Sequence, residues 1–189
     1  MKARVPLVAA LLLAAAGARG AAWDVAALMD ALRDHRPARA QFSETRHLAL
    51  LDRPLESSGE LTFTPPDRLE KRTTSPGMER LVVDRDTLSV ERAGARRTFA
   101  LRDYQQAAAL VGGIRATLAG DRAALERDYA LALEGNAQAW HLTLRPRAAA
   151  LSAIVKRMEV SGNGPEVRRI ETRQADGDWS VLLITPVPR

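Results

Sequence analysis

Three histidines, His35, His47 and His141, are the first residues to ask about chemistry, and their spacing supplies none. No two of them stand one helical turn apart around a glutamate, the arrangement that holds zinc beside a general base. The chain has no cysteine, so thiolate ligands for zinc are missing too. No serine sits in the Gly-x-Ser-x-Gly elbow that would mark a nucleophile. The "GNG" at residues 162–164 is followed by a strand pattern rather than a helix. It therefore reads as a hairpin turn and not as a phosphate loop. Carboxylates are plentiful, but spacing alone does not decide whether a pair such as Glu44 and Asp84 meets. The sequence predicts a protein that is not an enzyme, with no catalytic residue, no metal site and no cofactor.

Charge and composition exclude another class. The formal net charge is +5 and aromatic residues make up 4% of the chain. The positive charge is almost all arginine, spread evenly among acidic residues, which is the pattern of a solvated surface. A nucleic-acid footprint would be clustered and interleaved with aromatics, so no nucleic-acid partner is expected.

The elements that remain are strands and a few helices. In "GELTFTPPDRLEKR", from residue 59, Leu61 and Phe63 alternate with Glu60, Thr62 and Thr64, which is the period of a half-buried strand. Pro65 and Pro66 cannot donate to a ladder and mark the turn. The next strand carries Leu69 among charges. An amphipathic helix is predicted over residues 23–36 from Val25, Leu28, Met29 and Leu32, ended by Pro37. A long strand runs from Phe42 towards Leu51, and residues 51–58 turn the chain. Strands are expected at 59–64, 67–74, 80–84, 87–91 and 96–101 with no helix between them, which means an antiparallel meander.

The middle changes character. Residues 104–118 place Ala107, Leu110, Val111, Ile114 and Leu118 on one helical face, with Gly112 and Gly113 weakening the helix. A second short helix starts at Asp121, an N-cap candidate. Strands resume at 129–134, 138–145, 153–160, 167–172 and 179–184. The fold class is therefore α+β, one large antiparallel sheet with helices on one side, and a sheet of that size tends to curl. Leu61, Phe63, Leu81, Val83, Leu88, Val90, Trp140 and Leu142 fall on its apolar face. Alternation alone leaves two fates open for that face: a solid core, or the lining of a cavity under the helices.

The N-terminus reads as an exported leader over residues 1–20. Lys2 and Arg4 precede an apolar run from Val5 to Ala16, and the small residues Ala16, Gly17, Ala18 and Gly20 suit cleavage within residues 18–22. The run is shorter than the ~20 residues of a membrane span. Removing residues 1–18 takes away Lys2 and Arg4 and lowers the net charge by two; one domain is left over residues 23–189, expected to be a soluble monomer in a bacterial periplasm.

In this order, the leader, "FSE" from Phe42, "GELTFTPPDRLEKR", "SPGMERLVVDRDTLSV", "LVGGIRATLAGDRAALERDY" and "WHLTLRP" resemble the outer-membrane lipoprotein carrier family (LolA-like) along nearly the whole mature chain. The resemblance implies an incomplete β-barrel whose concave face is covered by helices. It makes the eight apolar-face residues a cavity lining for the acyl chains of a lipoprotein or lipid. Leu110, Val111, Ile114 and Leu118 become a lid. It also implies an inner-membrane donor and an outer-membrane acceptor. One departure stands out. Pro65 occupies the position where family carriers place an arginine that contacts the lid, leaving Arg68 as the nearest substitute. With fewer aromatics on the neighbouring strands, that points to a specialised member for a lipid or aryl-polyene product. The alternative is a periplasmic lipid-sensing or interaction domain with a solid core and no transport role.

Overall fold

Val25, Leu28, Met29 and Leu32 recur at helical spacing and make α1 (Val25–Asp34), whose first turn is capped where the Ala27 amide donates to Asp24 Oδ1 at 2.9 Å. The computed structural model describes residues 23–34 and 39–187. The leader over residues 1–20, His35 and the helix-ending Pro37 lie outside the described residues.

Six strands follow α1: β1 (Arg39–His47), β2 (Leu55–Thr64), β3 (Arg68–Ser75), β4 (Glu79–Asp84), β5 (Thr87–Arg92) and β6 (Ala95–Ala100). A 3-10 turn (Leu101–Asp103) leads into α2 (Gln105–Leu118) and α3 (Arg122–Asp128). Then come β7 (Tyr129–Asn136), β8 (Ala139–Pro146), a single-turn helix α4 (Ala149–Ser152), β9 (Val155–Asn163), β10 (Glu166–Gln174) and β11 (Trp179–Pro186). All eleven strands form one sheet in the order β6-β5-β4-β3-β2-β1-β11-β10-β9-β8-β7. The first strand pairs antiparallel with the last, joining two meanders, and β6 and β7 are left as the two edges. The sheet curls without closing, an incomplete barrel with the helices on its concave side.

Most boundaries follow the alternation pattern, with three differences. Residues 55–58 are strand and not turn, because Leu55–Ser58 pair with Ser43–Arg46 of β1. Conversely β1 stops at His47, and Leu48–Leu51 form the turn. The α4 turn was not anticipated in "RAAALS", which carries no periodic stripe long enough to show. Asp121 does cap α3, accepting from the Ala124 amide at 3.0 Å.

Burial divides into two packed clusters. The larger gathers Leu28, Met29 and Leu32 of α1 with Leu125, Tyr129, Trp140, Leu142, Leu144, Val155, Met158 and Val160. The smaller joins Val83 and Leu88 to Leu101, with Leu69, Leu81, Val90 and Val111 around them. The helices rest on β7 and β9, so that half of the concave face is filled.

The opposite face is polar, ruled by arginine–carboxylate ladders. Burial opposes charge on Glu171, but the Arg169 hydrogen bond at 2.7 Å and the nearby Arg173 outweigh it and hold its carboxyl below the ordinary glutamate range. A hydrogen bond from Arg80 likewise lowers Glu70. Groups depressed in this way add stability above their unfolded pKa and lose it as pH falls through the folded one. The urea midpoint should therefore fall below the ordinary carboxylate range, and Glu171→Gln should flatten that dependence. Denaturation series between neutral pH and pH ~3 check this; an unchanged slope in the variant counts against it.

Candidate functional site

A cavity of about 250 Å³ lies between the two clusters. Leu61 and Phe63 of β2, Leu69 of β3, and Leu81 and Val83 of β4 form one wall. The floor is Ala40 of β1, Leu182, Ile184 and Pro186 of β11, and Ile170 of β10. Val111, Ile114 and Leu118 of α2 close it from above, with Leu32 of α1 beside them.

Of the residues singled out in the sequence, Leu61, Phe63, Leu81 and Val83 line this space, with Val111, Ile114 and Leu118 over it. The others do not. Trp140 and Leu142 are buried in the larger cluster, because β8 lies in the part of the sheet that the helices cover. Leu88 packs in the smaller cluster against Leu101, and Val90 packs against that cluster. Leu110, one turn before Ile114, packs on the larger cluster and is not among the residues around the cavity. Alternation places a residue on a face, but not under a particular helix.

Four charged residues border the cavity: Glu44, Glu70, Lys71 and Glu166. Glu44 and Lys71 both line it and form an ion pair, their side chains 13% and 28% exposed respectively. Lys71 stands opposite Leu61 and Leu81, and Glu44 opposite Ser57 and Leu182. The pair therefore spans β2. Gly59 lies where β3 comes close, so that a Cβ there would meet the Arg72 carbonyl oxygen, and the Lys71 ammonium lies 4.8 Å from the Phe42 ring centroid. A signal was present in the sequence: Lys71 shares the parity of Leu69, two residues earlier, and so shares its face.

The side-chain contacts that hold α2 come from the helix itself and from β7. Arg68 does not reach α2; its guanidinium donates to Asp84 Oδ2 at 2.9 Å and lies near Glu70. Instead Arg115 of α2 donates to the Arg85 carbonyl in the β4–β5 turn at 2.8 Å. Its Nε lies 4.0 Å from Asp67 Oδ1, in the turn that Pro65 and Pro66 begin. On the inner side the Tyr129 hydroxyl donates to the Ala109 carbonyl at 3.2 Å. Burial, with the Asp128 charge beside it, pushes the Tyr129 phenol up to about 12, so it remains a donor at physiological pH. Arg115→Ala should free the outer end of α2 and speed release of a bound apolar fluorophore roughly tenfold, the equivalent of one charge-assisted hydrogen bond. Stopped-flow displacement measures this, and an unchanged rate would show that Arg115 does not fasten the helix.

His47 and His141 lie outside this cavity. His47 stacks on Trp179 with ring centroids 3.7 Å apart, and His141 Nε2 is 3.8 Å from Glu159 Oε1. Among the described residues no group of His, Asp and Glu is arranged to hold a metal ion. None of the described helices is long and apolar enough to cross a membrane.

A family model described as outer membrane lipoprotein carrier protein LolA-like matches residues 15–187. Among solved structures, a LolA superfamily protein from Nitrosomonas europaea is similar at 12% identity and TM-score 0.46, over 85% of this chain and 90% of that one. A putative outer membrane lipoprotein-sorting protein domain from Vibrio parahaemolyticus gives 9% identity and TM-score 0.41, over 85% and 88%. The MucA/MucB complex of Pseudomonas aeruginosa gives 15% identity and TM-score 0.42, over 84% of this chain and 53% of that one. Among curated proteins, none matches in sequence.

Proposed function

Since this chain belongs to the LolA-like outer membrane lipoprotein carrier family, we propose that it is a periplasmic carrier holding acyl chains of a lipoprotein or lipid beneath α2. The observation that carries this reading is the apolar cavity of about 250 Å³ roofed by three apolar side chains of one helix. At ~30 Å³ for a group the size of a water molecule, it has room for roughly eight methylene-sized groups. A chain of ~14 methylenes gains roughly 11 kcal/mol on burial, at ~0.8 kcal/mol each. Accommodating such a chain displaces Val111, Ile114 and Leu118, which cost ~1.5–3 kcal/mol each to expose. Lid closure then competes with cargo on a comparable scale, so a strongly apolar ligand is held yet can be handed on.

The arginine that the family places near the lid is replaced by Pro65, and the fastening guanidinium comes from Arg115 instead. This favours a dedicated client over general lipoprotein traffic. Two measurements test the reading together. Lipid extracted from protein isolated from its native cell envelope should contain an acyl- or polyene-bearing species by mass spectrometry. Expression in cells depleted of their own lipoprotein carrier should not restore growth. Protein that carries no lipid and takes up no acyl probe would end the carrier reading, and rescue would end the specialised one.

A further inference from the structure

On three strands the concave face passes from apolar to polar, on different rungs of the ladder: Glu44 pairs with Leu182, Lys71 with Leu61 and Leu81, and Ser180 with Arg46. On β1 it runs from Phe42 to Glu44, on β3 from Leu69 to Lys71, and on β11 from Ile184 through Leu182 to Ser180. The Glu44–Lys71 pair is part of the lining of the apolar cavity. A mostly buried ion pair is weak evidence of stabilisation, since apolar side chains of similar volume commonly do as well. Charged groups in an otherwise apolar pocket more often orient a ligand.

From this arrangement we propose that the cavity takes a single acyl chain tail-first, with a carboxylate head group bound at Lys71. The inference rests on the carrier reading above and adds the chemistry of the head. An ammonium has three donors. Among the described residues, Lys71 gives one to Glu44 Oε2 and turns towards the Phe42 ring, so donors are left for a ligand oxygen. Glu44 accepts from Ser57 Oγ at 3.4 Å as well as from Lys71. Its charge repels an arriving carboxylate and weakens the grip, which keeps exchange possible. Space for roughly eight methylene-sized groups, at ~30 Å³ each, suits a medium-length chain.

The test compares decanoate with decanol, by displacement of a fluorescent acyl probe from the full mature protein at neutral pH. The wild type should bind decanoate at least tenfold more tightly than decanol, as a charge-assisted hydrogen bond provides. Lys71→Met should erase that preference, bringing the ratio of the two affinities to about one. Glu44→Gln should raise the ratio of decanoate to decanol affinity several-fold. Because Lys71→Met leaves Glu44 without its partner, the double variant with Glu44→Gln removes both charges and keeps the comparison valid if the single one misfolds. Equal affinity of the wild type for the two ligands, or a carboxylate preference that survives Lys71→Met, overturns the head-group assignment alone. Binding of neither ligand overturns the carrier reading and this inference with it.

Discussion

Leu142→Ala lowers the unfolding free energy by ~2–5 kcal/mol, whereas Leu61→Ala costs only about 1 kcal/mol. Both leucines sit on strands of similar alternation, and both face the concave side of one sheet. Leu142 is fully buried, and its cross-strand neighbours Leu133 and Val160 leave no room to collapse into. Truncation there adds a new cavity to the lost transfer energy. Leu61 borders space that already exists, so shortening it forfeits part of a half-exposed side chain's burial and little else. Urea denaturation of the two variants measures the difference. Equal losses would mean that the wall of β2 is packed like the rest of the interior, and the cavity would lose its standing as a binding site.

The second large effect separates two adjacent glycines. Gly113→Val is expected to destabilise by ~1–3 kcal/mol, and Gly112→Ala to stabilise by up to ~1 kcal/mol. A Cβ at Gly113 would meet Met158 Cε and stand 2.9 Å from the Tyr129 hydroxyl, whereas one at Gly112 would meet nothing within 4 Å. At Gly113 helix α2 lies against Met158 of β9 and Tyr129 of β7, and the valine side chain would lever the helix away from β9. Thermal melts give the two signs. A neutral Gly113→Val would show that α2 is loosely seated along its whole length.

Those glycines show where the sequence could be read and where it could not. Their presence in a helix was visible, along with its length and its apolar flank. What they do was not, since Gly112 and Gly113 look identical until the helix is laid on a sheet whose contacts come from residues far along the chain. The same holds for the strands. A period of two sorts Leu61 and Leu142 onto one face, but the roof over each depends on strand order, set by the pairing of β1 with β11. Local rules served well where the cause was local: the double proline turn, the Asp121 cap and the hairpins at residues 161–166 and 175–178. Arg115 was out of reach for the opposite reason, because its acceptor, the Arg85 carbonyl, lies 30 residues away in a turn. Lys71 stood in plain view among charges, and only its parity with Leu69 pointed inward.

The two unpaired margins, β6 and β7, have a mechanical result. In a closed barrel, strand number and stagger fix the bore, like staves held by a hoop. Here the hoop is cut. The sheet can tighten or relax its curvature by small changes of twist shared among ten interfaces, with every rung of every ladder intact. Such a change of curvature requires no broken hydrogen bond, only that the two margins shift relative to each other. The arginines at one margin, Arg96 and Arg97, keep that seam from knitting to a neighbouring molecule while it is open.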